Sequence, residues 1–287
     1  MNVSMQSRTT QGAPVRETLV QFGPERRLVG VLSGDPAVSQ APVLVLPNAG
    51  LVPRAGPFRL HVELAQRLAR RGMCTFRFDT PGVGEASRIR GCSAHDATIA
   101  ALDVLAAQHG ARRFVVGGVC SAADLGWSTA LSDPRVCGML MLDGISFTGP
   151  WFRFAKISNV LERNPREWPG ILWRMFGRAA KGGGDGAPAI AEYREWPDRK
   201  AAQRQFAGMV ARGLRSLWIY TGGYCRLFRH TRQFAWALGP ATRDPRVEMH
   251  YWSDCDHTFY ARAHRNRLMD TIECWLAAHA DEAPAAA

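Results

Sequence analysis

Residues 113–123 read Arg-Phe-Val-Val-Gly-Gly-Val-Cys-Ser-Ala-Ala, an apolar run that stops at Gly-x-Cys-x-Ala just before a segment with helical spacing. A buried strand can turn at once into a helix only where small residues flank the turn, because the two backbones pass within side-chain distance of each other. Gly118 and Ala122 supply those flanks. The residue between them, Cys120, is then lifted above the carboxyl edge of a sheet, and the backbone N–H of Ser121 points into the same space. The helix N-terminus that follows adds positive potential, which lowers the pKa of a thiol. Taken alone, Gly-x-Cys-x-Ala also fits a small buried cysteine. Its place between strand and helix favours a nucleophile, and Ser121, one position past the tip of the turn, is the weaker candidate.

The rest of the chain supports a sheet around that turn. Strand-like runs alternate with helical patterns, the signature of a mainly parallel sheet with crossover helices. Arg16–Phe22 and Arg27–Leu32 read as a hairpin around Gly23-Pro24, followed by strands at Val43–Leu46 and Cys74–Phe78. Helical spacing covers Phe58–Arg71 and Asp96–Gln108. After the turn at Cys120 come a helix at Ala122–Leu131 and a strand at Val136–Leu142 that closes on Asp143-Gly144. The order resumes with Leu217–Thr221, Thr231–Leu238, Val247–Trp252 and a last helix over His264–Ala278. Between them the pattern changes: 145–213 is rich in Trp, Arg, Gly and Pro and carries a Lys181-Gly-Gly-Gly-Asp-Gly186 break. It reads as a cap inserted between the sixth and seventh strands. The expected organisation is a core of 16–144 and 214–279, a cap over 145–213, and flexible tails at 1–15 and 280–287. No internal repeat interrupts it.

Composition narrows the function classes. The seven cysteines are scattered with no C-x-x-C pair, which argues against a disulfide framework and a zinc site and for a reducing, cytoplasmic setting. No run approaches the roughly 18 apolar residues that span a bilayer, and the first fifteen residues lack the apolar stretch of a secretory signal. The net charge of +11 is carried mostly by arginines that form no single basic run, so no nucleic-acid partner is expected.

A thiol nucleophile needs a base. In Ser253-Asp254-Cys255-Asp256-His257-Thr258-Phe259, His257 follows the final strand and precedes the terminal helix. The other seven histidines lack that position. The acid is less determined. The residues after Thr221 are Gly-Gly-Tyr-Cys-Arg-Leu-Phe, with no carboxylate. A thiolate–imidazolium pair depends less on an acid than a serine does. Asp143, one strand earlier at the same sheet edge, is a catalytic acid or a cap-hinge residue bonding local amides. Asp254 and Asp256 are further candidates to orient His257. Oxyanion donors are expected from Ser121 N–H and from the Pro47-Asn48-Ala49-Gly50-Leu51 loop, through Gly50 or Leu51. Arg54, beside that loop, is a candidate for an anionic substrate group or a solvated surface residue. Asp124 either lines the pocket or caps the first turn of its helix. Asp79, in Asp-x-x-Gly-x-Gly, reads as a turn brace.

At these residues the chain resembles the α/β-hydrolase superfamily. It is most similar to bacterial serine-aminopeptidase-like hydrolases, including those called exosortase-A-system-associated. The resemblance rests on Asn48-Ala-Gly-Leu51, Arg54-Ala-Gly-Pro57, Phe76-Arg-Phe-Asp79 with Gly82 and Gly84, Gly118-Val-Cys-Ser-Ala122, Tyr220-Thr-Gly-Gly223 and Asp256-His-Thr-Phe259. These span about residues 40 to 275 with the cap unmatched. It implies an α/β-hydrolase fold: a mostly parallel eight-stranded sheet, helices on both faces and a helical cap after strand 6. It also implies an acyl hydrolase or acyltransferase, a Cys120–His257 pair, no metal and no cofactor. Cysteine nucleophiles occur on this fold in dienelactone hydrolases and polyhydroxyalkanoate synthases. Residues 145–215 hold thirteen Lys or Arg against six Asp or Glu, which makes an acyl group on an acidic carrier protein or coenzyme A an expected substrate. The alternatives are a catalytically silent binding scaffold, motivated by the missing acid after Thr221, and a carbon–carbon bond hydrolase of the same fold.

Overall fold

The computed structural model describes residues 15–161, 194 and 196–278. Eight strands join in one sheet in the order β1-β2-β4-β3-β5-β6-β7-β8. They are β1 Glu17–Phe22, β2 Leu28–Ser33, β3 Val43–Pro47, β4 Thr75–Phe78, β5 Phe114–Val119, β6 Val136–Leu142, β7 Arg215–Thr221 and β8 Val247–Trp252. β1 pairs antiparallel with β2 and β2 antiparallel with β4. From β4 onward all pairings are parallel. The parallel strands are buried on both faces, which is why β3, β5 and β7 are near-continuous apolar runs without alternation.

Helices cover both faces. The described ones are α1 Leu60–Ala69, α2 Ala94–His109, α3 Ser121–Ser132, α4 Pro150–Leu161, α5 Arg199–Ala211, α6 Arg232–Leu238 and α7 Arg262–Ala277. On one face α2, α3, α5 and α6 bury Ala101, Leu105, Trp127, Phe206 and Phe234 against Phe76, Phe114 and Trp218. On the other, α1 and α7 bury Leu64, Leu68, Leu268 and Ile272 against Leu44, Leu140 and Ile219.

Two helix starts differ from the sequence reading for local reasons. α2 begins two residues early because Ser93 and Asp96 form a reciprocal cap: Ser93 Oγ accepts from Asp96 N–H at 3.1 Å, and the Asp96 carboxylate accepts from Ser93 N–H at 2.9 Å. α1 begins two residues late because Phe58 and Arg59 stand in the left-handed region, φ 50° and 63°, after a short turn opened by Gly56-Pro57.

The span read from the sequence as a cap needs a correction at its end. α5 lies within 145–213, yet its Ala202, Phe206, Met209 and Val210 belong to the core, with Phe206 stacked on Trp127 at 6.0 Å. It is the crossover helix into β7. The spacing of those apolar residues fits one helical face, a signal masked in the sequence by the surrounding Arg and Lys. The two tails, and within the cap Trp168, Trp173 and the 181–186 glycine run, lie outside the described residues.

Candidate active site

The site is built from the carboxyl ends of β3, β5, β6, β7 and β8. At the end of β5 the chain passes into α3 through Cys120, whose backbone is φ 57°, ψ −116°. A non-glycine residue holds such a conformation only where its surroundings impose it. Here Cys120 N–H bonds Leu142 O at 2.8 Å, and Cys120 O accepts from Ala123 N–H at 3.0 Å. Gly118 stands at φ 145°, and a Cβ on it would lie 3.1 Å from the Cβ of Ala122, a tight contact that the neighbour would have to relieve.

His257 follows β8, and Asp143 follows β6. Asp143 Oδ2 and His257 Nδ1 are 2.7 Å apart. Asp143 is fully buried. Its carboxylate accepts from Thr221 N–H at 2.7 Å and from Thr221 Oγ1 at 2.6 Å, so a charge that would be costly unpaired is met by three donors. With Nδ1 held by the carboxylate, Nε2 is the nitrogen left to face the thiol. The Cys120 thiol and the His257 imidazole lie close enough that each shifts the titration of the other. Tyr224 stacks beside the imidazole, with ring centroids 6.0 Å apart and planes 15° from parallel.

The electrostatics follow from these contacts. Burial works to lower the His257 pKa, but the bonds to Asp143 and Cys120 outweigh it and raise the value to about 9. Burial works to raise the Cys120 thiol, but the His257 hydrogen bond and the Arg194 and His257 charges bring it below its ordinary value of 9.0. A thiol pushed down and an imidazole pushed up move the pair toward the thiolate–imidazolium form. The sign is testable without any substrate. Alkylation of Cys120 by iodoacetamide, followed at the peptide level, is expected to reach half its limiting rate below pH 9. In His257→Ala the largest lowering influence on the thiol is gone while burial and the Arg194 charge remain, and the midpoint is expected to rise. An unchanged midpoint would contradict the ion pair.

The absence of a carboxylate after β7 has a steric reason. A Cβ on Gly223 would lie 2.3 Å from His257 N. The β7 turn and the His257 loop pass too closely there for a side chain, and the carboxylate that meets the imidazole is Asp143, at φ 50° after the neighbouring strand β6.

The other candidate residues are engaged as follows. Gly50 N–H donates to Ser121 Oγ at 2.7 Å, and Asn48 Nδ2 donates to Gly50 O at 2.6 Å. As an oxyanion donor, Gly50 must first exchange the Ser121 hydroxyl for a substrate oxygen; the hydroxyl takes the amide because an unmade bond there is costly. Leu51 stands exposed at the loop tip. Ser121 N–H lies in the first turn of α3, where amides lack intrahelical partners. Arg54 pairs with Asp79 and Glu85, so an anionic substrate group would compete with two carboxylates. Asp79, 1% exposed, takes Arg54 N–H as well and braces its turn. Asp124 pairs with Arg194 and accepts from Trp196 Nε1 at 3.0 Å; its carboxylate is engaged by these two side chains, not held open for a ligand.

Among the described residues one group of metal-ligating side chains converges, Cys255, Asp256 and His264, within 4.8 Å. Both Asp256 oxygens are committed: Oδ1 accepts from Thr258 N–H and Oγ1 at 2.9 and 2.6 Å, and Oδ2 from Tyr260 N–H at 2.9 Å. That carboxylate serves the loop carrying His257. It does not touch the imidazole as the sequence allowed. Thr221, Tyr224 and Arg194 were not singled out from the sequence. Thr221 carried a signal, a hydroxyl at the strand end facing the acid's expected place.

No family model and no curated protein matches the chain. Solved structures do. An esterase from Pyrococcus furiosus superposes with a TM-score of 0.59 at 12% identity, covering 92% of this chain and 90% of that one. The esterase domain of a Rhodothermus marinus protein gives 0.54 at 14%, covering 93% and 100%. A proline iminopeptidase-related protein from Thermus thermophilus gives 0.51 at 16%, covering 92% and 99%. With the strand order above, these likenesses establish an α/β-hydrolase fold: a mostly parallel eight-stranded sheet with helices on both faces. No helix among the described residues is long and apolar enough to cross a membrane.

Proposed function

We propose that the protein is an acyl hydrolase or acyltransferase working through an acyl-cysteine intermediate on Cys120. One observation carries this reading: a thiol at a strained strand–helix turn, electrostatically coupled to an imidazole that is itself held by a fully buried carboxylate. Nucleophile, base and orienting group in that relation are the working parts of covalent acyl transfer. The esterase names among the structural neighbours point the same way.

In the proposed reaction the Cys120 thiolate attacks the carbonyl carbon of an ester or thioester. The carbonyl π pair moves to oxygen, where Ser121 N–H and an amide of Gly50 or Leu51 hold the developing charge. Collapse breaks the bond to the leaving alkoxide or thiolate, which takes the His257 proton. Water or another hydroxyl or amine then gives a proton to His257, attacks the acyl-cysteine and releases the thiolate. Asp143 keeps the imidazole in the tautomer and orientation that both half-reactions need.

The substrate class is an extension of this reading. The basic excess between 145 and 215 and the aromatic–cation pairs at the cap's base, Arg232 over Trp151 at 4.8 Å and Arg229 over Phe152 at 5.6 Å, support an anionic carrier such as coenzyme A or an acidic acyl carrier protein. Matched acyl groups on coenzyme A, on a neutral thiol and on a simple alcohol separate the cases. The expected result is a kcat/KM for the coenzyme A thioester at least about tenfold above the neutral thioester, a margin of about 1.4 kcal/mol, that falls with added salt. Equal values for the two thioesters would remove the carrier from the account and leave the esterase chemistry. The silent scaffold and the carbon–carbon hydrolase have no specific observation in their favour.

A further inference from the structure

Arg194 lies in the latter part of the span read as a cap, and its side chain, 6% exposed, lies inside the site. Nε and Nη2 form a fork on the Asp124 carboxylate, with Nη2 to Oδ1 at 2.6 Å. Nη2 also donates to Cys120 O at 3.0 Å. Nη1 donates to Asp143 O at 3.3 Å and to Tyr224 Oη at 3.1 Å. The Tyr224 hydroxyl itself donates to Gly144 O at 3.1 Å. Trp196 closes the arrangement, its ring 4.6 Å from the guanidinium carbon and its Nε1 on the same carboxylate.

Two features set this apart from an ordinary buried ion pair. First, the two backbone carbonyls held belong to Cys120 and Asp143, the residues carrying the proposed nucleophile and acid, both at positive φ. A strained residue persists only if its surroundings over-determine it, and one planar fork here constrains both. Secondly, the N–H groups are already engaged by protein acceptors, so Arg194 has little left to offer a substrate carboxylate or phosphate.

We infer that Arg194 is a positioning residue, which couples the latter part of that span to the catalytic centre by bridging the Cys120 and Asp143 carbonyls while its charge supports the Cys120 thiolate. The inference rests on the reading of Cys120 as nucleophile. The groups that act on that thiol or are acted on by it are His257 after β8, Tyr224 after β7, Asp124 on α3 and Arg194 itself, with Asp143 after β6 behind the imidazole. Of these, His257 and Arg194 carry positive charge, and Asp124 opposes them.

The test is the pH profile of Cys120 alkylation by iodoacetamide, which needs no substrate, with kcat and KM measured alongside. In Arg194→Met the midpoint is expected to rise by about one pH unit, a tenfold loss of thiolate at fixed pH below it. In the same variant kcat should fall and KM hold. Arg194→Lys keeps the charge but cannot bridge two carbonyls, so it should restore the midpoint and leave kcat low. A wild-type midpoint near the ordinary cysteine value would sink the nucleophile reading itself. A depressed wild-type midpoint that neither variant moves, with kcat unchanged, would overturn only the role of Arg194. If Arg194→Met does not fold, Arg194→Lys decides: wild-type kcat in that variant overturns the bridge, and a lowered kcat with a wild-type midpoint supports it.

Discussion

Cys120→Ala is expected to cut turnover of activated esters and thioesters by at least about 10³-fold while leaving the fold intact. The side chain removed is small and sits at a turn whose geometry comes from backbone bonds, Cys120 N–H to Leu142 O and Ala123 N–H to Cys120 O. Alanine therefore loses the nucleophile without loosening the turn, and circular dichroism and the melting temperature should stay close to wild type. Cys120→Ser separates chemistry from shape further. A hydroxyl ionises far less readily than a thiol, so the serine variant should fall well below wild type even with His257 and Asp143 in place. Steady-state rates on a nitrophenyl ester decide it, and a Cys120→Ala variant retaining more than about a tenth of wild-type kcat would sink the mechanism.

The second large effect is expected at Asp143. Asparagine fills nearly the same volume but replaces one acceptor oxygen by a donor, at a site where Thr221 N–H, Thr221 Oγ1 and His257 Nδ1 all converge. The amide can satisfy the threonine only by turning an N–H₂ toward the imidazole, which favours the wrong tautomer for a base at Nε2. A loss of about 10²–10³-fold in kcat, or roughly 2.7–4 kcal/mol of barrier, is expected with a smaller change in KM. The direction in pH is also fixed. His257 stands at about 9 with Asp143 as its leading favourable partner, so without the carboxylate the imidazolium should deprotonate at lower pH and the alkaline limb of the rate profile should move down. Near-normal kcat in Asp143→Asn would leave a Cys–His dyad with Asp143 as a hinge residue.

Much of the fold was legible because its signals are local. The alternation of buried strands with helical spacing carried the sheet, and the small residues around Cys120 carried the turn. The candidate acid was harder for a physical reason. Chain order suggested a carboxylate after Thr221, whereas the close pass of Gly223 under His257 leaves no space for one, and such a contact between residues 34 apart in the chain has no sequence signature. Arg194 lay further out of reach: its partners Cys120, Asp124 and Asp143 are 51 to 74 residues away, and in the sequence it is one arginine among many in a basic stretch. The α5 helix reads as part of the cap from sequence because it opens on Arg199-Lys200 at the end of a basic, aromatic-rich stretch, while its buried Phe206 and Met209 reveal their place only against the sheet.

The most direct measurement is intact-mass analysis of the full-length protein after brief exposure to a short acyl thioester. Wild-type protein is expected to gain one acyl mass, mapped by peptide digestion to Cys120, and the gain should be absent in Cys120→Ala. An adduct that persists in Cys120→Ala, or that maps to Ser121 or another cysteine, would contradict the account.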